Sequence, residues 1–114
     1  MITKEQEEKI WRWCGFRLAD VKKDYHYEGG VRVADWENPD NTYTVKYLPQ
    51  FTLDNLERWA FPKFRAITIS KGLDKPIWDV DIILGGGMNI LLTRSYGYAD
   101  NPVEAIALAL LRVI

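Results

Sequence analysis

Hydrophobic and polar residues alternate most regularly in the second half of the chain, which is typical of β-strands. Ile67 and Ile69 alternate with polar neighbours. After Pro76, a predicted strand carries four hydrophobic residues on one face, namely Trp78, Val80, Ile82 and Leu84. The glycine triplet at 85–87 predicts a hairpin turn, because glycine adopts positive φ without strain. The spacing then predicts a partner strand through Met88, Ile90 and Leu92, which completes a three-stranded antiparallel meander.

The N-terminus begins with a predicted helix over residues 4–14. Thr3 and Gln6 have the spacing of a capping box, in which each side chain binds the backbone N–H of the other residue. An apolar stripe at helical spacing follows, made of Ile10, Trp13 and Cys14. Gly15 stands where a residue in the left-handed conformation commonly ends a helix. The helix is therefore expected to end at Cys14.

Two more helices are predicted, one before and one after the three strands. Thr52 caps the first of them, and Pro62 ends it because the residue before a proline resists the helical conformation. Asn101 caps the last helix, with Pro102 at its first position and Glu104 at its third. Strands paired through a tight turn and then closed by a helix indicate an α+β fold.

The segment between the first two predicted helices is the least regular part of the chain. Residues 20–41 contain a glycine pair, an Asn-Pro pair and many charges, which is typical of a loop with one short strand at 31–33. Residues 43–47 alternate large and polar side chains and predict another strand. The whole chain, residues 1–114, is interpreted as a single α+β domain with the approximate order α-β-β-α-β-β-β-α.

Composition narrows the classes of function. A chain of 114 residues that is 47% hydrophobic can bury one core, so a disordered segment is excluded. Fifteen Lys and Arg against sixteen Asp and Glu give a net charge of -1, so no nucleic-acid and no membrane partner is expected. One cysteine and one histidine cannot form an internal disulfide or a Cys/His zinc site within one chain. The polar, acidic N-terminus is unlike a signal peptide, so a cytoplasmic location is predicted.

Two carboxylates, Asp79 and Asp81, fall on the polar face of the predicted strand, about 6–7 Å apart. Such a pair can share a divalent cation or divide acid and base roles, which defines one alternative function, a small metal-dependent enzyme. No histidine or glutamate stands beside them, so a solvated strand face is the favoured interpretation. The glycine triplet lacks the following helix and Lys-Ser/Thr pair of a phosphate loop. No catalytic residue, metal site or cofactor is therefore assigned.

Aromatic residues are numerous, and most fall at core-facing spacings. A surplus lies in the irregular segment, where Tyr25, Tyr27 and Trp36 form the candidate interaction surface. His26, between the two tyrosines, is expected to be a surface residue. These three aromatic side chains are the site residues that the sequence predicts for binding a protein partner.

A second alternative is a nucleic-acid-binding module, because a helix, three antiparallel strands and a helix is also the order of a double-stranded-RNA-binding domain. Trp78-x-Val80 and the alanine-rich last helix resemble that class. Such domains hold phosphates with lysines at the start of the last helix. Here residues 100–104 read Asp-Asn-Pro-Val-Glu and contain no cation, so the phosphate-binding part is missing.

The last helix is apolar almost all round. One stripe is predicted to cover the sheet, and it consists of Val103, Ile106, Ala107, Leu110, Leu111 and Ile114. The opposite face, made of Ala105, Leu108 and Ala109, is too apolar for open solvent. Either the first helix or a second copy of the chain must cover it, so a homodimer is one predicted partnership.

A series of short motifs runs through most of the chain. They are Gly15-Phe16, Trp36 with Asn38-Pro39, Leu48-Pro49 with Thr52 and Asp54, Trp78-x-Val80, and Asn101-Pro102-x-x-Ala105-Ile106-x-x-Ala109-Leu110. In this order they resemble the phage ABA sandwich domain family of small phage and prophage proteins. The resemblance implies an antiparallel sheet with helices packed on both faces, an α/β/α sandwich, and a bacterial host cytoplasm. That family carries no established activity, so the resemblance predicts a non-enzymatic accessory protein acting by protein–protein interaction.

Overall fold

The computed structural model describes residues 1–85 and 92–114. Within these residues the helices are α1 (Lys4–Cys14), α2 (Leu53–Trp59) and α3 (Pro102–Leu111), and one 3₁₀ turn follows α2 at Phe61–Lys63. The described strands are β1 (Arg17–Leu18), β2 (Tyr25–Glu28), β3 (Val31–Ala34), β4 (Trp36–Glu37), β5 (Thr44–Val45), β6 (Phe64–Lys71), β7 (Trp78–Leu84) and β8 (Thr93–Ala99).

The predicted caps of the outer helices are present. Thr3 and Gln6 form the reciprocal capping box at the start of α1, and Gly15 ends that helix in the left-handed conformation, with φ of 114°. The Asn101 side chain accepts a hydrogen bond from the Glu104 backbone N–H at 2.8 Å, and Pro102 opens α3. Local sequence signals therefore determine where α1 and α3 begin.

The largest sheet has the antiparallel order β6-β7-β8. Val80 and Ile82 of β7 are buried on the face that α3 covers, and Asp79 and Asp81 lie on the other face. The predicted alternation in β7 is confirmed.

Most of the predicted return strand lies outside the described residues. The partner strand that the structure describes, β8, begins at Thr93, after the predicted residues. Residues 86–91, which include most of the glycine triplet together with Met88 and Ile90, lie outside the described residues, and Leu92 precedes β8. The covered face of β8 carries small residues, which give no hydrophobic signal, namely Ser95, Gly97 and Ala99.

α3 approaches β8 closely at Gly97. A Cβ atom at this position would lie 2.0 Å from the carbonyl oxygen of Ala105 and 2.8 Å from the backbone nitrogen of Ala109. The Ser95 hydroxyl donates a hydrogen bond of 2.7 Å to the Ala109 carbonyl. Ala105 and Ala109 are fully buried here, so the prediction that they face away from the sheet is wrong. Their burial within the chain removes this face as an argument for a second copy.

The described helices lie on one side of the β6–β8 sheet. α3 contacts the sheet, and both α1 and α2 contact α3. The opposite sheet face carries seven exposed residues among those that the structure describes: Ala66, Thr68, Ser70, Asp79, Arg94, Tyr96 and Tyr98. The α+β class is therefore confirmed, whereas the sandwich with helices on both faces is not.

The segment between α1 and α2 contains more strands than the sequence predicts. β1, β4 and β5 form a small antiparallel sheet, and β2 pairs with β3 in a hairpin. The predicted strand at 31–33 is confirmed as part of β3, but β2 lies in the segment interpreted as loop. The predicted element order is thus not confirmed, because strands of two to four residues are too short for a clear periodic signal.

Candidate functional site

The β2–β3 hairpin organises most of the predicted interaction surface. Glu28 pairs with Val31, so Gly29 and Gly30 form a two-residue turn, with φ of 57° and 81°. Positive φ at both turn residues is the requirement of the type I′ turn, whose twist matches that of the two strands. The register therefore places Tyr25, Tyr27, Arg32 and Ala34 on one face and His26, Glu28, Val31 and Val33 on the other.

Tyr25, Tyr27 and Arg32 together form an exposed cluster, which we call the hairpin surface. The two tyrosine rings meet edge to face with centroids 5.7 Å apart. The guanidinium carbon of Arg32 lies 4.2 Å from the centroid of the Tyr25 ring, within cation–π range. Tyr25 is 38% exposed and Tyr27 is 61% exposed, so the rings remain available to a partner. Arg32 is not among the residues that the sequence predicts for binding a protein partner. Its cross-strand pairing with Tyr27 follows from a two-residue turn at Gly29-Gly30.

His26 anchors the opposite face of the hairpin. Its Nδ1 lies 2.7 Å from the Asp35 carboxylate and its Nε2 lies 2.9 Å from that of Glu28, while the Tyr47 ring meets the imidazole edge-on at 5.3 Å. The hydrogen bond to Glu28, followed by that to Asp35, raises the pKa of His26 above its ordinary value. The side chain is only 6% exposed, so the prediction of a surface histidine is wrong.

Raising the pH is expected to destabilise the hairpin, because the two carboxylates that bind His26 belong to Glu28 of β2 and to Asp35 directly after β3. Because the folded-state pKa of His26 is raised, its stabilising effect is fully present below the ordinary value of about 6.5 and is lost as the pH rises through the folded-state pKa. NMR titration of the imidazole signal, unambiguous for a single histidine, should give a midpoint above about 6.5. The melting temperature should fall over the same range, and His26→Gln should remove that dependence. A midpoint at or below the ordinary value would contradict the binding of His26 between the carboxylates of Asp35 and Glu28, which we call the His26 clamp.

Trp36 does not share the hairpin surface. It lies in β4, pairs with Leu18 and Val45, and packs half-buried against the hydrophobic core. The guanidinium carbon of Arg12 lies 4.9 Å from the centroid of its ring. Tyr25 and Tyr27 thus lie together in the hairpin surface, whereas Trp36 packs between α1 and the β1-β4-β5 sheet.

Asp79 and Asp81 share the open face of β7, as the alternation predicts. Asp81 is bound by Arg94, whose Nη2 donates to Oδ2 at 2.7 Å and whose Nε donates to Oδ1 at 3.1 Å. Hydrogen bonding from Arg94 lowers the pKa of Asp81. Within residues 1–85 and 92–114, no group of three or more His, Cys, Asp and Glu side chains could hold a metal ion.

Cys14 is buried at the end of α1, where desolvation raises the pKa of its thiol to about 12. A thiol with this pKa holds its proton near neutral pH and is a poor nucleophile.

At the start of α3, the N-terminal amino group of Met1 forms a salt bridge with Glu104. The helix start that would face phosphates in a double-stranded-RNA-binding domain therefore carries an acidic side chain.

No helix in the described part of the chain is long and apolar enough to cross a membrane. Comparison with known proteins returned no matching family model, no matching curated protein and no matching solved structure. The resemblance to the phage ABA sandwich family consequently stays a prediction from the sequence motifs.

Proposed function

We propose that this protein is a non-enzymatic accessory protein of a phage or prophage, which binds another protein through the hairpin surface. The single observation that carries the binding role is the exposed cluster of Tyr25, Tyr27 and Arg32. The phage setting and the bacterial cytoplasm are supported by the sequence motifs alone.

The residue types and the internal contacts of the hairpin surface both favour protein recognition. Tyrosine and arginine are enriched among the residues that dominate binding energy at interfaces. The rings already contact each other, and the His26 clamp and the two-residue turn hold the strands that carry them. Side chains that are ordered before binding lose less conformational entropy in the complex, so more of the contact energy becomes affinity.

The alternative functions have weaker support. A metal-dependent enzyme would need the Asp81 carboxylate, which the Arg94 guanidinium already neutralises. A nucleic-acid-binding module would need cations at the start of α3, where Asn101, Pro102 and Glu104 stand. The net charge of -1 adds no general attraction to phosphates.

Replacing Tyr27 with alanine is expected to abolish capture of the partner without unfolding the chain. Tyr27 is 61% exposed, so its removal costs little core packing, whereas loss of an interface anchor weakens binding by roughly tenfold or more. The tagged wild-type protein and the variant would be used to purify partners from nuclease-treated, prophage-induced cells, with quantitative mass spectrometry of the retained proteins.

Tyr43→Ala provides the matched control, because Tyr43 is a 45% exposed tyrosine outside the hairpin. The control should retain the partner at the wild-type level, and all three proteins should melt at similar temperatures. Equal recovery of every captured protein by the wild type and Tyr27→Ala would refute the proposed role of the hairpin surface.

A further inference from the structure

The face of the β6–β8 sheet opposite α3 carries a regular arrangement of polar and aromatic side chains. In one cross-strand row Thr68 pairs with Asp81, which pairs with Tyr96, and in the next row Ser70, Asp79 and Tyr98 stand in the same order. All six side chains lie on one face, because residues two apart in a strand point the same way. The two rows therefore repeat one pattern of hydroxyl, carboxylate and tyrosine.

The first row already holds a guanidinium group. Arg94, diagonal to Asp81 across the strand pair, donates two hydrogen bonds to the Asp81 carboxylate with its Nη2 and Nε atoms, at 2.7 and 3.1 Å. Its guanidinium carbon lies 5.6 Å from the centroid of the Tyr96 ring. A carboxylate and a tyrosine face in this register thus form a receptor for arginine within the chain itself.

The second row offers the same two groups, and Lys75, which lines the adjoining hollow, forms no ion pair with the carboxylate of this row. Asp79 and Tyr98 are direct cross-strand partners, as Asp81 and Tyr96 are. Among the residues that the structure describes, no cationic side chain forms an ion pair with Asp79. Asp79 is exposed and Tyr98 is 55% exposed, so both can be reached from solvent.

An apolar hollow adjoins this second row. Asp79 and Tyr98 line both a groove of about 280 Å³, which contains the two rows, and a hollow of about 440 Å³ in the β6–β7 turn, which Asp74 and Lys75 also line. Leu73 is fully exposed at this hollow, and Ile77 is 39% exposed. A ligand that brought a cation to Asp79 could cover these apolar side chains with an adjacent aliphatic group.

We propose that Asp79 and Tyr98 bind an arginine side chain of another protein, with an aliphatic side chain of the same segment covering Leu73 and Ile77. The carboxylate of Asp79 repels phosphates and attracts cations, which disfavours a nucleic acid, and the exposed Leu73 and Ile77 beside it favour a protein segment that carries both a cation and an aliphatic side chain. Arginine fits better than lysine, since its planar guanidinium can donate to the carboxylate and stack on the ring together, as Arg94 does. This site is separate from the hairpin surface and does not depend on the function proposed for it.

The test is an NMR titration of the labelled protein with the blocked peptide acetyl-Gly-Leu-Gly-Arg-Gly-amide. Its leucine and arginine are two residues apart and fall on the same side of an extended backbone. We expect saturable shifts of the backbone amides of Asp79, Tyr98 and Ile77, and no saturable shift with the peptide that carries citrulline in place of arginine.

Asp79→Asn should weaken binding of the arginine peptide about two- to fivefold, the loss expected for one exposed ion pair. Tyr98→Leu should weaken it by a similar factor through loss of the cation–π contact. Asp40→Asn, an exposed aspartate in another loop, is the matched control and should bind like the wild type. The proposal is overturned if no signal in the second row saturates, if citrulline binds equally, or if Asp79→Asn has no effect. Concentration-dependent shifts of the same signals without peptide would also overturn it, because a second copy would then be the occupant.

Discussion

Gly97→Ala is expected to destabilise the protein by about 3 kcal/mol, the upper part of the range for overpacking a tight contact. The added Cβ would lie 2.0 Å from the Ala105 carbonyl oxygen and 2.8 Å from the Ala109 nitrogen. Both are backbone atoms of α3, so no side-chain rotation can relieve the overlap. The helix would have to move away from β8, and such a shift would disturb the hydrogen bond from Ser95 to the Ala109 carbonyl as well.

Urea unfolding followed by far-UV circular dichroism would measure this loss. Gly72→Ala is the matched control, because its Cβ would lie 3.3 Å from the Lys75 carbonyl oxygen in an exposed turn that can adjust. The control should change the free energy of unfolding by less than about 1 kcal/mol. Similar unfolding midpoints for the two variants would contradict the close approach of α3 to β8.

The same contact shows which parts of the fold the sequence could predict. The caps at Thr3 and Asn101 and the alternation of β7 depend on residues close together in the chain, and each is observed. The side of α3 that faces the sheet depends on Gly97, whose missing side chain carries no hydrophobic signal. The hydrophobic pattern therefore predicted that the larger residues of α3 face the sheet. The close approach of α3 to β8 instead places the small residues Ala105 and Ala109 against Gly97.

The candidate site shows the same division between local and distant signals. Tyr25 and Tyr27 are two residues apart in one strand, and the sequence identified both as surface aromatics. The clamp on His26 requires Asp35, nine residues away and beyond the hairpin turn, and the Tyr47 ring from a further loop. Pairing of β2 with β3 brings these groups together. That pairing was not predicted, because the glycines and charges of residues 20–41 are typical of a loop.

The largest loss of stability is expected from Trp11→Ala, at about 3–5 kcal/mol. Trp11 is 1% exposed and its ring meets those of Phe16 and Phe51 edge to face, with centroids 5.9 and 5.5 Å apart. The Phe16 ring in turn meets that of Trp59 in α2, with centroids 5.2 Å apart, so Trp11 connects α1 to the residues directly after it and to the region of α2. Its removal leaves a cavity that rigid neighbouring rings cannot fill, and the loss is a large fraction of a typical domain's stability.

Trp13→Ala is the matched control, since it removes the same residue type from the same helix. Trp13 is half-buried, stacks on Phe64 with centroids 6.1 Å apart, and lies beside the Lys63 ammonium. Its partial burial predicts a smaller loss of about 1–2 kcal/mol. Urea unfolding followed by far-UV circular dichroism avoids the change in tryptophan fluorescence that either substitution causes. The two variants remove the same type of residue, so the expected difference in stability comes only from the deeper burial of Trp11. An equal loss of stability in both variants would therefore contradict the placement of Trp11 at the centre of the core.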